Sequence, residues 1–163
     1  MSADYPSMTT AEIRSKFLNF FEERGLKLYP SSSLVPDDPS LLLANAGMNQ
    51  FKEYYQGKKT MKEIGAISCQ KCVRTNDIDC IGEDGRHLSF FEMLGDFSFG
   101  GVSKQQACAW AFELITKEFK LPLDRLYFTV FTEDDETHDV WRSLGVAEDH
   151  ISRPVSYTHL TLP

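Results

Sequence analysis

Two runs of alternating residues, separated by a polar loop, constrain this chain more than any other feature. Residues 64–74 and 86–94 each read as a strand, and residues 75–85 between them are polar and acidic. Strands joined in this way form a long antiparallel hairpin. Side chains alternate between faces along a strand, so Cys72 and Arg74 share one face of the first. On the returning strand His87, Ser89, Phe91 and Met93 share one face, and Arg86, Leu88, Phe90 and Glu92 share the other. One face of the sheet can therefore collect Arg74, His87, Phe91 and Met93, while Phe90 reads as core.

Helices are expected on either side of the hairpin. Thr9 and Glu12 make a capping box ahead of Ile13, Phe17, Leu18, Phe20 and Phe21, which fall at helical spacing, and Gly25 stands where that helix should stop. Residues 26–29 predict a short strand, closed by Pro30 and three serines. Residues 34–50 are irregular, broken by Pro36 and Pro39, with a turn at Asn45, Ala46, Gly47 and Met48; one or two helical turns follow at 51–55. Ser103 with Gln106 caps a further helix running to Phe119. Residues 126–131 alternate as a strand, and Thr132 with Asp135 opens a last helix ending near Gly145. The fold class this implies is α+β, an antiparallel β-sheet flanked by helices, with no internal repeat.

Composition narrows the function classes. Twelve phenylalanines and two tryptophans in 163 residues describe a packed body rather than a disordered arm. A net charge of −7 argues against binding nucleic acid through overall charge. The charge is uneven, with Lys52, Lys58, Lys59, Lys62, Lys71 and Arg74 facing only Glu53 and Glu63 over the same stretch; a solvated surface accounts for such a run more often than a binding patch does. There is no basic leader with an apolar core and no run of bilayer length, so the sequence reads as cytoplasmic, free of membrane contact, with reduced thiols.

The face carrying Arg74 has a chemical meaning. An arginine offers a planar, permanently charged fork for phosphate oxygens, and an aromatic ring offers a stacking surface for a purine. Together they suggest nucleotide binding without a glycine-rich phosphate loop, since no Walker or dinucleotide pattern occurs in the chain. The residues alone leave other roles open: Arg74 as a salt-bridge partner, His87 as a surface histidine, Met48 as core. Cys69, Cys72, Cys80 and His87 permit a zinc reading, but the first pair would sit on a strand and no second close pair supports it. No metal ligands are assigned.

Several segments, in order, carry a family resemblance. They are Ser31-Ser32-Ser33-Leu34-Val35-Pro36, then Asp38-Pro39-Ser40-Leu41-Leu42, then Asn45-Ala46-Gly47-Met48-Asn49-Gln50-Phe51-Lys52, then Gln70-Lys71-Cys72-Val73-Arg74, and the run from Phe90 to Gly100. From about Thr9 to about His150 the chain resembles the alanyl-tRNA synthetases, a class II family, in their motif 1 and motif 2 regions. The resemblance implies a two-step ligase: ATP-dependent activation of alanine to alanyl-adenylate, then transfer to the 3′ end of the alanine tRNA. It implies that Arg74 is the catalytic motif 2 arginine, bridging the α-phosphate and the alanine carboxylate. His87 would hold the outer phosphates, Phe91 would be the adenine platform, and Met48 would line the pocket. ATP, Mg2+, alanine and the alanine tRNA are the implied ligands, tRNA mainly through downstream regions. Zinc belongs to the family's downstream editing region, and a homo-oligomer is compatible with the full-length protein.

The sequence also departs from the family. The motif 2 loop is shorter and lacks a lysine and a histidine after the arginine; Asp96 stands where asparagine is usual; Gly101-Val102-Ser103 replaces a more typical Asp-Tyr-Phe. Residues 9–153 are expected to be the first part of the catalytic domain, without motif 3, and 154–163 to be a non-native, poorly ordered tail. Such a fragment is expected to be inactive alone. A non-catalytic paralogue that binds nucleotide or tRNA is the alternative, and a domain that keeps only the fold is a third.

Overall fold

A computed structural model describes residues 7–75, 78–83, 85 and 87–154. The last nine residues of the expected tail, and Arg86, lie outside the described set. The chain divides into two compact units, residues 10–102 and residues 103 onward with the first nine.

The first unit opens with helix α1 (Thr10–Glu22). It stops at Gly25, whose φ of +87° is a left-handed conformation that glycine adopts without penalty. Strand β1 (Lys27–Leu28) follows. After the irregular stretch come a 3-10 turn (Gly47–Phe51) and a one-turn helix, α2 (Lys52–Tyr55). Strands β2 (Gly65–Val73) and β3 (Phe90–Ser98) form the expected antiparallel hairpin, in a register that sets Cys72 opposite Phe91 and Gln70 opposite Met93. β1 joins the other edge of β2 in parallel, so the sheet is mixed, though mostly antiparallel.

The returning strand starts later and runs further than the alternation suggests. Residues 87–89 precede it, and it continues through Gly95 to Ser98. Gly95 does not end it because the ring of Phe97 lies over that glycine: a Cβ there would come within 2.5 Å of Phe97 Cζ. The ring takes the place of the missing side chain.

Each sheet face has its own cover. On one, Ile67, fully buried, faces α1 with Phe17, Phe20 and Phe21, and Arg14 of α1 donates to Glu92 of β3 from Nε at 3.2 Å. On the other, the 3-10 turn sits against the sheet. Phe51, 1% exposed, lies 4.9 Å from Phe97, 5.3 Å from Tyr29 and 6.0 Å from Phe99, ring centre to ring centre. Gly101 lies hard against the backbone of Ile64, where a Cβ would meet the Ile64 carbonyl oxygen at 2.5 Å. The departure from the family at this position therefore has a local reason: this chain has no room for a side chain there.

In the second unit, Ser103 caps α3 (Lys104–Glu113) by accepting from Gln106 N–H, as the sequence predicts. A π-helical turn (Leu114–Glu118) extends the helix. The alternating run at 126–131 buries Phe128 and Val130, but the strand β4 is confined to Phe128–Thr129, in parallel with β5 (Ile151–Ser152), with Val130 N–H adding a bond to Ser152 O at 2.9 Å. The last helix, α4 (Asp135–Ser143), is capped by Asp134 rather than Thr132. Asp134 accepts from Thr137 N–H at 3.1 Å and Oγ1–H at 2.7 Å, and from Lys104 Nζ at 3.0 Å. The carboxylate won the capping position because a charged acceptor also favours the positive end of the helix dipole.

These partners, Thr137 first, hold the Asp134 carboxyl at about 2. A lowered folded value means that the cap contributes in full above the unfolded carboxyl value of about 3.9 and is lost as pH falls through about 2. Amide exchange of α4 followed from neutral to acid pH is expected to show this loss, and Asp134→Asn to remove it. Identical acid profiles for both would contradict the assignment. Among the described residues no helix is long and apolar enough to cross a membrane.

Candidate active site

The site is built at the loop end of the hairpin, all within the first unit. β2 leaves the ladder at Val73, and one more backbone bond, Arg74 N–H to Ser89 O at 2.9 Å, carries the pairing just past it. That bond keeps Arg74 on the face of Cys72 and Phe91. Its guanidinium carbon stands 5.3 Å from the centre of the Phe91 ring, within cation–π range. Arg74 Nε donates to the carbonyl of Asn45 at 3.1 Å. Because Nε is tied to the protein, the guanidinium plane is oriented and its two terminal amino groups point away from the tether.

The wall opposite the hairpin is the turn that begins at Asn45. It is fastened to the sheet at three places. Ala44 is held on both sides, its N–H donating to Leu34 O at 2.8 Å and its carbonyl accepting from Val73 N–H at 2.9 Å. Gly47 N–H points at Met93 Sδ, 3.2 Å away. Gln70, 1% exposed, uses its amide in full. Its Oε1 accepts from Ser32 N–H at 2.8 Å and from Gln50 Nε2 at 3.2 Å, and its Nε2 donates to Lys71 O at 2.8 Å. A buried amide satisfied on every side specifies a single arrangement of the segments it joins.

The residues singled out from the sequence fare differently. Arg74 and Phe91 are brought together, both half-buried. Met48 lies on the same turn as Gly47 and is 47% exposed, so it is a surface residue beside the site rather than core. His87 is exposed and precedes the ladder, so the alternation that set it beside Phe91 does not govern its side chain. Phe90, read as core, is 55% exposed on the α1 face. Asp96 projects to that same face, opposite Ile67, so this departure from the family does not touch the site.

Asn45 and Gln70 were not singled out. A tether through a backbone carbonyl leaves no trace in sequence, because every residue has one. Gln70 did leave a signal, a polar side chain in an otherwise buried strand run.

The cysteines do not converge. Cys69 and Cys72 are three residues apart on a strand and so project to opposite faces. Burial pushes both thiols up, away from the thiolate that a zinc ion needs. Among the described residues no group of three His, Cys, Asp or Glu is placed to hold a metal. A polar cleft of about 790 Å³ lies elsewhere in this unit, lined by residues including Ser32, Asp38, Asn49, Lys52 and Lys59, and by neither Arg74 nor Phe91.

The family model described as tRNA synthetases class II (A) matches residues 12–159. The alanine–tRNA ligase, chloroplastic/mitochondrial, of Sorghum bicolor is 52% identical over 142 residues, 86% of this chain and 15% of that protein. The alanine–tRNA ligase of Fervidobacterium nodosum is 49% identical over 146 residues, 90% of this chain and 17% of that protein. That of Synechocystis is 49% identical over 154 residues, 94% and 18%. The chain thus spans less than one fifth of the length of these curated relatives. The family model covers the chain almost end to end and the relatives are about half identical to it over that span, so this chain belongs to the class II (A) tRNA synthetases.

Proposed function

We propose that this chain forms the ATP-facing part of an alanine–tRNA ligase, acting in the cytoplasm. In the reaction proposed, a carboxylate oxygen of alanine attacks the α-phosphorus of ATP. The bond from that phosphorus to the bridging oxygen breaks, and pyrophosphate leaves with the electron pair. A ribose hydroxyl of the terminal adenosine of the alanine tRNA then attacks the acyl carbon of the adenylate, the bond to the phosphate oxygen breaks, AMP leaves with the electron pair and the hydroxyl proton is released, a step that rests on the rest of the protein.

The observation that carries this reading is the Arg74–Phe91 pair, 5.3 Å apart on one face, with the arginine's Nε already satisfied. One nucleotide spans both, its base on the ring and its α-phosphate on the fork. Negative charge grows on the phosphorus oxygens during attack, so a guanidinium fixed in advance stabilises the transition state more than the ground state. In this scheme Arg74 is the catalytic residue, Phe91 the adenine platform, Met48 a flank of the pocket and His87 a contact for the outer phosphates. Magnesium is proposed to enter on the phosphates as part of the substrate, since it retains several waters and favours phosphate oxygens.

The test is a full-length chimera in which this segment replaces the aligned 146 residues of the Fervidobacterium nodosum ligase. Alanine-dependent exchange of labelled pyrophosphate into ATP is the readout, expected from the chimera and not from the isolated chain. Phe91→Leu is expected to raise KM for ATP about tenfold, the scale of losing one stacked base, with a smaller change in kcat. An unchanged KM would remove Phe91 from the nucleotide site.

A further inference from the structure

Arg74 is aimed by something other than its own strand. Its Nε donates to the Asn45 carbonyl at 3.1 Å, and that carbonyl belongs to an exposed turn residue whose peptide could rotate. The Asn45 side chain is held in turn, its Oδ1 accepting from Asn49 Nδ2 at 3.0 Å. Asn49 is set by the same 3-10 turn, its N–H donating to Ala46 O at 3.3 Å, while the neighbouring Gly47 and Gln50 are fastened to Met93 and Gln70 of the sheet. The turn that carries Asn49 is thus fixed to the sheet on either side of it, and from Asn49 one hydrogen bond reaches the Asn45 side chain and another runs from the Asn45 carbonyl to the guanidinium.

We propose that Asn49 is a positioning residue for adenylation: its amide locks Asn45, whose carbonyl fixes the plane of the Arg74 guanidinium and turns its terminal amino groups toward the α-phosphate. This rests on the reading of Arg74 given above. The geometry assigns the role to Asn49 because its amide is the side-chain clamp on Asn45, and because it stands outside any contact with Arg74 itself. Small misplacements of a group that acts on the transition state cost rate rather than binding.

The chimera carries the test. Asn49→Ala is expected to lower kcat for alanine-dependent exchange about tenfold, with KM for ATP moving less than about threefold. Its melting temperature should stay within about 3 °C, since the bond lost is exposed to solvent. Asn49→Asp is expected to restore kcat to within about twofold, because the Asn45 amide can turn over and donate Nδ2–H to the new carboxylate. A wild-type kcat in Asn49→Ala would overturn the proposal. So would equal losses in Asn49→Ala and Asn49→Asp, or a loss that tracks a fall in melting temperature, each of which marks a structural role alone. Arg74→Ala measured alongside separates the two levels. If it lowers exchange while Asn49→Ala keeps the wild-type kcat, the positioning role fails alone; if it leaves exchange intact, the reading of Arg74 fails and this inference with it.

Discussion

Arg74→Ala in the full-length chimera is expected to lower alanine-dependent pyrophosphate exchange by about 100- to 1000-fold, the loss typical of removing one pre-placed donor to a developing oxyanion. Most of the loss should fall on kcat, because the charge that the guanidinium meets is greatest in the transition state. Arg74→Lys is expected to recover little. An ammonium has no Nε to tie to the Asn45 carbonyl and no planar fork for two oxygens, so both the tether at 3.1 Å and the bidentate grip disappear together. A lysine variant with near-normal kcat would show that a positive charge alone suffices and that the orientation described above has no catalytic consequence.

The second large effect is on stability. Phe51 closes the sheet face that carries the site: it is 1% exposed and meets the rings of Tyr29, Tyr54, Phe97 and Phe99 at 4.9–6.4 Å. Phe51→Ala removes the transfer energy of a buried ring and leaves a cavity among four aromatic neighbours, at a cost of about 3–5 kcal/mol. Amide exchange of β2 and β3 in the chimera should quicken more than about 100-fold where those amides open with this unit. Phe51 ends the 3-10 turn bearing Gly47 and Asn49, so the same variant should also loosen the wall that aims Arg74. Protection within about threefold of wild type would mean that the ring cluster relaxes to fill the space, and that the face is less rigid than its packing implies.

The parts of this fold legible in sequence are those governed by local rules. Period-two alternation fixed the parity of the hairpin, and parity alone put Arg74 and Phe91 on one face, which the register of β2 and β3 bears out. Caps that depend on one side chain and one backbone N–H, such as Ser103 with Gln106, were equally readable. Where the sequence reading erred, a tertiary contact had overruled the local pattern. β3 runs past Gly95 because a ring two residues on covers the gap, and Asp134 outcompetes Thr132 as a cap with the help of Lys104, thirty residues back. Phe90 is exposed because the helix on its face meets the strand further along, at Glu92. His87 stands before the ladder begins, where alternation assigns no face. The Asn45 tether had no local signature, since it is a backbone atom reached from twenty-nine residues away.

A crystal structure of the chimera with a non-hydrolysable alanyl-adenylate analogue would show where the nucleotide lies. The adenine is expected to stack on Phe91, with the phosphate mimic within hydrogen-bonding reach of the two terminal nitrogens of Arg74 and Nε still on the Asn45 carbonyl. An analogue bound away from this face, for instance in the polar cleft beside Lys52 and Lys59, with Arg74 untouched, would contradict this placement.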